Sequence, residues 1–359
     1  MDTRHTAFPG LALLLLGTAA AMAQVQGPVQ TPPTAAPPPV DPGRISIDVE
    51  VTDKLGHDIS GLKPEDFTLL DNKQPVRNLD IREIDSRNGS DDPVHVIIII
   101  DMINTGFDAV AREREQLGEF LKQDGGRLAH PTTLAMLSEK GIKIQQASTL
   151  DGKALFDSLE GANSELRMVG RSAGFWGAAD RLNWSLNQLT QLVAYEAQQP
   201  GRKLALFISP GWPLLAQAGV EETDRERQWA FNAIVGLTNG LRDAHMTLYA
   251  LDPFHLGRTD PFFYQNYVKP VVNVNHAEYG DLGLQVLAVH SGGTAQVTGM
   301  DILGELNTAI RDADACYRIT FQAPPADRRN EYHELRVQVN RPGAQVRTTA
   351  GYYANVQHE

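Results

Sequence analysis

The chain has 359 residues, of which 42% are apolar and 21% are charged, and this balance excludes a long disordered chain. Its 44 acidic and 32 basic residues leave a net charge of −12, so we expect no nucleic-acid partner, because phosphate binding requires a basic surface. The single cysteine, Cys316, excludes an internal disulfide and a cysteine-based zinc site.

Residues 1–23 are predicted to form a signal peptide. The apolar core Leu11–Leu16 is too short to span a bilayer, and Ala21-Met22-Ala23 matches an A-x-A cleavage site. We therefore expect a mature chain that begins at Gln24, has no membrane span and is secreted or periplasmic. Residues 24–43 contain seven prolines and are predicted to be an extended linker.

Both ends of the remaining chain have the pattern of antiparallel strands. Within residues 44–90, apolar residues alternate with polar ones from Ile45 to Thr52, which predicts a strand with one face in solvent. The same alternation returns in residues 315–356, where Val346 to Tyr353 is predicted as the last strand. Neither end alone has enough strands for a stable sandwich, so both are predicted to contribute to one small β-sandwich.

The middle of the chain, residues 94–312, has a different pattern. Val96–Ile100, Leu204–Ile208 and Met246–Leu251 are apolar almost throughout, which is typical of parallel strands that are buried on both faces. Leucines and other apolar residues at helical spacing lie between these runs, as in Leu182, Leu186, Leu189 and Val193. The pattern predicts a doubly wound, mostly parallel α/β domain that interrupts the sandwich.

Several segments resemble the von Willebrand factor A-related proteins that acidobacteria and similar bacteria export. The N-terminal segment is ISIDVEVTDKLGHDISGLKPEDFTLLDNKQPV, and the central ones include VHVIIIIDMINTGFDA, PGRKLALFISPGWP and LYALDPFHL. The C-terminal segment YRITFQAPPADRRNEYHELRVQVNRPGAQVRTTAGYYA resembles their closing module. The resemblance implies a Rossmann-like A-type domain beside a β-sandwich, and a role in protein binding.

The resemblance also implies a metal site at the end of the first central strand. Asp101 lies there, where ligands of open α/β sheets bind. The family motif is D-x-S-x-S with a threonine and an aspartate from other loops, which together hold Mg²⁺ or Mn²⁺. Here Ile103 and Thr105 occupy the third and fifth positions, and Ser209-Pro210-Gly211 replaces the later acidic residue. The loop threonine has no clear counterpart, with Ser172 as the nearest candidate.

Three interpretations of this strand end stay open. Asp101 and Thr105 could form a degenerate metal site for Mg²⁺ or Mn²⁺. Thr105 could instead begin the next helix as an N-cap, with Asp108 completing a capping box and Asn104 in the turn. In the third interpretation no cofactor is needed, and Asp101, Asn104, Thr105 and Ser209 contact an unknown protein partner.

The sequence favours a protein that is not an enzyme. A haloacid-dehalogenase-like phosphatase, the most distant alternative, needs an acid two residues after its nucleophile, and Ile103 occupies that position. The glycine-rich, phosphate-binding, serine-hydrolase and zinc-protease motifs are also absent from the sequence.

Overall fold

The computed structural model describes residues 43–88, 92–105, 107–145, 147–161, 174–213, 215, 222–252, 262–297 and 302–356. The predicted signal peptide and all of the linker except Gly43 lie outside the described residues. Within the part of the chain that the structure describes, no helix is both long and apolar enough to cross a membrane.

The strands are β1 (Arg44–Thr52), β2 (Phe67–Asp71), β3 (Gln74–Pro75), β4 (Asp80–Asp85), β5 (Val94–Asp101), β6 (Arg127–Ser138), β7 (Gly141–Ile144), β8 (Thr149–Asp151), β9 (Arg202–Ile208), β10 (Met246–Leu251), β11 (Ala295–Gln296), β12 (Ala315–Gln322), β13 (Glu331–Val339), β14 (Gln345–Thr348) and β15 (Gly351–Ala354). The α-helices are α1 (Phe107–Lys122), α2 (Gly152–Gly161), α3 (Gly174–Glu196), α4 (Asp224–Asp243), α5 (Leu284–His290) and α6 (Ile302–Arg311). Short 3₁₀ helices cover Pro64–Asp66, Ser86–Asn88, Gln123–Gly126, Phe263–Tyr267, Val274–His276 and Tyr279–Leu282.

Strands from both ends of the chain form two antiparallel four-stranded sheets. Their orders are β14-β1-β12-β4 and β15-β13-β2-β3, so each sheet combines N-terminal and C-terminal strands. The alternating apolar side chains of both sheets meet in one core, in which Ile47, Val49, Leu69 and Ile319 are almost completely buried. The two sheets and this core are called the β-module below.

The central sheet has the order β11-β10-β9-β5-β6-β7, and β8 also pairs with β6. β5, β6, β9, β10 and β11 are parallel, whereas β7 and β8 are antiparallel to β6. α3, α4 and α5 cover one face of this sheet, and α1, α2 and α6 cover the other. Burial on both faces explains why β5 contains a run of four isoleucines.

The central α/β domain begins and ends between two neighbouring strands of the β-module. β4 precedes it and β12 follows it, and these strands pair antiparallel with Asp85 opposite Ala315. The backbone N–H of Ser86 donates to the carbonyl of Asp314 at 2.9 Å. The domain therefore occupies the place of a hairpin turn.

The prediction of a mixed α/β chain, with a mostly parallel sheet beside antiparallel strands, is confirmed. Two details are wrong. The polar face of β1 was expected in solvent, but Glu50 and Thr52 are buried, and Glu50 pairs with Arg202 of the central domain. The segment from Val346 to Tyr353 was predicted as one strand, but β14 and β15 are separate strands in different sheets.

Candidate functional site

Two polar residues meet at the carboxyl-terminal edge of the central sheet. Asp101 is the last residue of β5, and Ser209 directly follows β9, the neighbour of β5. α1 follows β5 on one face of the sheet, whereas α4 follows β9 on the other. The β5–β9 pair is therefore the topological switch point of the sheet, where open α/β sheets bind their ligands.

The Asp101 carboxylate is fully buried and accepts four hydrogen bonds. Its Oδ1 accepts from the backbone N–H groups of Ile103 at 2.9 Å and Asn104 at 3.1 Å. Its Oδ2 accepts from the side-chain amide of Asn104 at 2.8 Å and from the hydroxyl of Ser209 at 2.7 Å. One carboxylate therefore holds the turn after β5 and the turn after β9 together.

Burial raises the pKa of the Asp101 carboxyl, and the hydrogen bonds from Asn104 and Ser209 oppose this rise. An ionised carboxylate offers about four acceptor sites in total. The four donors that surround Asp101 fill these sites, so the acceptor capacity of the group is used within the protein.

The Asn104 amide links this cluster to α3. Its Nδ2 also donates to the hydroxyl of Ser185 at 3.0 Å, and Ser185 is fully buried. Ser185 was not among the residues predicted from the sequence. Its position on the buried face of α3, beside Leu182 and Leu189, was the available signal, since a serine within a leucine stripe needs a hydrogen-bond partner.

The turn after β9 depends on a glycine. The Ser209 hydroxyl accepts from the backbone N–H of Gly211 at 3.0 Å. Gly211 has φ +85°, and a Cβ atom there would lie 2.2 Å from the side-chain amide of Gln285. Both the backbone angle and the close approach therefore require glycine at this position.

The other predicted residues lie below the surface. Ile103 packs in the apolar core, and Thr105 is 1% exposed, with no hydrogen-bond partner for its hydroxyl among the described residues. The side chain of Asp108, which the capping-box interpretation requires, and all of Ser172 lie outside the described residues. That interpretation of Thr105 stays a prediction.

The residues at this edge do not fit a divalent cation. Mg²⁺ requires about six oxygen ligands at ~2.0–2.1 Å in octahedral geometry. The Asp101 oxygens already accept four hydrogen bonds, the Ser209 hydroxyl donates to one of them, and Ile103 supplies no oxygen. Across the described residues, no group of three or more His, Cys, Asp or Glu side chains is placed to hold a metal ion.

Direct contact with a partner is limited by burial. Asp101, Thr105 and Ser209 are each exposed by 1% or less, whereas Asn104 is half-buried. A protein that docks on this edge can therefore touch Asn104, while the buried Asp101 and Ser209 hold the turns in position.

A second polar cluster lies at the opposite, amino-terminal edge of the sheet. Arg202, the first residue of β9, is 1% exposed; its guanidinium pairs with Glu50 of β1 and donates to the backbone carbonyl of Asp312 at 2.5 Å. The Asp312 carboxylate accepts from the Tyr249 hydroxyl at 2.6 Å and from Arg347 at 2.5 Å. Charged groups of the α/β domain and of the β-module thus pair across their contact.

Asp48 extends this cluster, which we call the charged junction. Its carboxylate accepts from Arg318 at 2.7 Å and lies 3.4 Å from the His245 ring. Burial acts to raise the pKa of Asp48, but the hydrogen bond from His245 and the charge of Arg318 hold it well below its usual range. Burial raises the pKa of Glu50, against the charge of Arg202. The junction joins the two parts of the protein.

No family model matches the sequence, and no curated protein matches it. Thirty-one chains of solved structures match this structure in part. One is the human COPII-coat protein Sec24c, with 9% identity and a TM-score of 0.37, covering 77% of this chain and 46% of that one. Another is the manganese-loaded Plasmodium vivax TRAP protein, with 9% identity and a TM-score of 0.33, covering 78% of this chain and 99% of that one.

This chain thus spans less than half of the Sec24c chain. TM-scores of this size support no argument about fold or function. The resemblance to the von Willebrand factor A-related family therefore stays a prediction.

Proposed function

We propose that the chain is an exported, non-enzymatic protein-binding module of the von Willebrand factor A-related type, which presents the strand-end turns of its α/β domain to a protein partner. The observation that carries this proposal is the Asp101 cluster at the switch point of the sheet. Hydrogen bonds from Asn104 and Ser209 fix two neighbouring turns on rigid strands. Binding surfaces are commonly built from loops that a rigid scaffold positions in this way.

The same cluster argues against phosphatase chemistry. A carboxylate nucleophile must reach its substrate, and a general acid must protonate the leaving group. Asp101 is fully buried, its oxygens are occupied by donors, and the residue two positions later is the apolar Ile103. We therefore assign Asp101 a positioning role.

Site-directed cross-linking tests the proposed surface. The native Cys316 is 2% exposed and burial raises the pKa of its thiol, so an introduced surface cysteine can be labelled selectively. Lys140→Cys places a benzophenone label beside the carboxyl-terminal end of β6, at the proposed edge. We expect this variant to give a discrete adduct in an extract of the source organism.

The matched control is Asn232→Cys, because Asn232 is exposed on α4, away from the strand ends. It should give no adduct of the same mass. The proposal fails if both labelled variants capture the same proteins equally, or if the label on α4 alone captures a partner.

The alternative, a metal-dependent adhesion or binding protein, makes a measurable counter-prediction. Metal bound at a site with a millimolar Kd raises the free energy of unfolding by RT ln(1 + [L]/Kd), which is about 0.4 kcal/mol at ~1 mM metal. We therefore expect 1 mM Mg²⁺ or Mn²⁺ to move the melting midpoint by no more than about 2 °C. Asp101→Ala should lower the midpoint itself, since four donors lose their acceptor, but leave the metal response unchanged. A rise of five degrees or more that Asp101→Ala abolishes would establish the metal-dependent alternative.

A further inference from the structure

A pair of aromatic side chains reaches the surface beside the strand-end turns. Trp229, in the second turn of α4, is 39% exposed. Its ring centroid lies 5.6 Å from that of the half-buried Tyr279. Aromatic side chains that are partly open to solvent are enriched at the centres of protein interfaces. This pair is therefore a candidate contact for a partner.

The aromatic pair belongs to the same edge of the sheet as the Asp101 cluster. α4 follows the turn after β9, and the 3₁₀ helix Tyr279–Leu282 leads into α5. Gln285, in the first turn of α5, donates from its side-chain amide to the carbonyl of Pro210 at 3.4 Å and lies against Gly211. The start of α5 thus connects the turn after β9 with the aromatic pair.

Carboxylates adjoin Tyr279 on several sides. Glu222 accepts from the backbone N–H of Tyr279 at 3.4 Å. The Tyr279 hydroxyl forms a hydrogen bond with Glu226, in the first turn of α4. Glu278, the preceding residue, is exposed. Within the described part of the chain, Glu222 and Glu278 form no ion pair.

The same carboxylates act on the other titratable groups of this surface. Burial raises the pKa of Asp281 to about 7, and the charges of Glu278 and Glu222 add to this rise. Burial also raises the pKa of Tyr267, and the charges of the same carboxylates and of Asp281 act in the same direction. All the charges that shift these two pKa values are negative, so the electrostatic potential at this surface is negative.

Two arginines of α4 lie nearby in the sequence. Arg227 faces Asp224 at 3.5 Å, and its charge lowers the pKa of Glu226 less than the hydrogen bonds from Thr223 do. Arg225 is exposed, one turn before the indole of α4. Neither arginine is among the groups that shift the pKa of the tyrosine in the aromatic pair.

We propose that this surface binds a basic segment of the protein partner, with a lysine or arginine side chain on the aromatic pair. The surface consists of Trp229, Tyr279, Glu222, Glu226 and Glu278. An aromatic ring attracts a cation over its face, and a neighbouring carboxylate pairs with the same charge. The net charge of −12 also favours the approach of a basic partner. The inference rests on the proposed function, because it names the chemistry of the partner at the same edge.

Fluorescence anisotropy of the full chain with a fluorescein-labelled peptide of five Gly-Arg repeats tests the proposal. At low salt we expect a Kd of about 10–500 µM, and no binding of a peptide of five Gly-Glu repeats. Glu222→Gln/Glu278→Gln should weaken binding by about fivefold or more. The matched control, Glu115→Gln/Glu119→Gln, removes the same two charges from exposed positions of α1, on the other face of the sheet. It should change the Kd by less than about twofold.

A second substitution tests the aromatic contact. Trp229→Leu should weaken binding by about threefold or more, because leucine keeps an apolar side chain but offers no ring to the cation. Tyr195→Leu, at an exposed aromatic position near the end of α3, should leave binding unchanged. Circular dichroism of each variant checks that the fold is kept.

Three results overturn the proposal: no binding of the Gly-Arg peptide at about 1 mM, binding of the Gly-Glu peptide, or equal losses in the two double variants. If one of them occurs while the label at Lys140→Cys still captures a partner, the proposed function is retained and the partner is not recognised by its basic charge. If the label captures no partner either, both proposals fail.

Discussion

Arg202→Ala is expected to lower the free energy of unfolding by about 3–5 kcal/mol. Arg202 is 1% exposed and pairs with Glu50, which is 4% exposed and has one oxygen without a partner among the described residues. Removal of the guanidinium leaves the buried Glu50 carboxyl without its partner. The Asp312 carbonyl also loses its donor.

Urea denaturation at pH 7 measures this effect, and Arg44→Ala is the matched control. Arg44 also pairs with a carboxylate, that of Asp80 at 3.2 Å, but its side chain is 55% exposed. Exposed pairs of this kind contribute about 0–1 kcal/mol. Equal losses for the two variants would show that the charged junction is solvated in solution.

The double variant Arg202→Met/Glu50→Met tests the cause. Because apolar residues of similar volume remove the unpaired charge as well as the pair, we expect it to recover much of the loss from Arg202→Ala. If the double variant is less stable than Arg202→Ala, the loss comes from packing of the arginine and not from the isolated carboxylate.

The strands and helices that bury apolar residues regularly were visible in the sequence. The run Val96–Ile100 predicted β5, and the leucine stripe from Leu182 predicted α3. In both elements the core decides the conformation, and the core appears in the sequence as periodicity. Asp101 was identified because it ends such a run at the edge where ligands bind.

The elements that depend on distant polar partners were not visible. β6 lies beside β5 in the sheet, yet its sequence contains His130, Pro131, Thr132 and Thr133 and was not predicted as a strand. His130 is buried, and its ring pairs with Asp314, 184 residues away. A local pattern carries no signal of such a partner.

The candidate site shows the same division. Ser209 was predicted from its position after an apolar run, whereas the bond that it makes to Asp101 and the contribution of Ser185 depend on how three elements pack. The polar residues of β1 were wrongly assigned to solvent because their contacts also depend on how distant elements pack. Their alternation predicted a strand correctly, but whether water or Arg202 faces Glu50 is decided by tertiary structure.

The arrangement of β4 and β12 leads to a prediction about the β-module alone. Deletion of residues 315–359 removes both neighbours of β1, which are β12 and β14, and the one neighbour of β4. It also exposes the apolar side chains of β1, each worth roughly 1.5–3 kcal/mol. We expect residues 44–88 to be unfolded and degraded by protease in this truncation.

Replacement of the central domain by a turn should have the opposite result. Because Ser86 and Asp314 are hydrogen-bonded neighbours, Asn-Gly can join them as a two-residue hairpin. We expect the resulting chain of residues 44–86 and 314–356 to show β-type circular dichroism and cooperative melting, since both sheets and their shared core are kept. Ile319→Ala, at a position that is 0% exposed, should abolish the transition, because a loss of about 2–5 kcal/mol exceeds what a small domain can tolerate. An unfolded short chain, together with a truncation whose residues 44–88 resist protease, would show that the two ends fold independently.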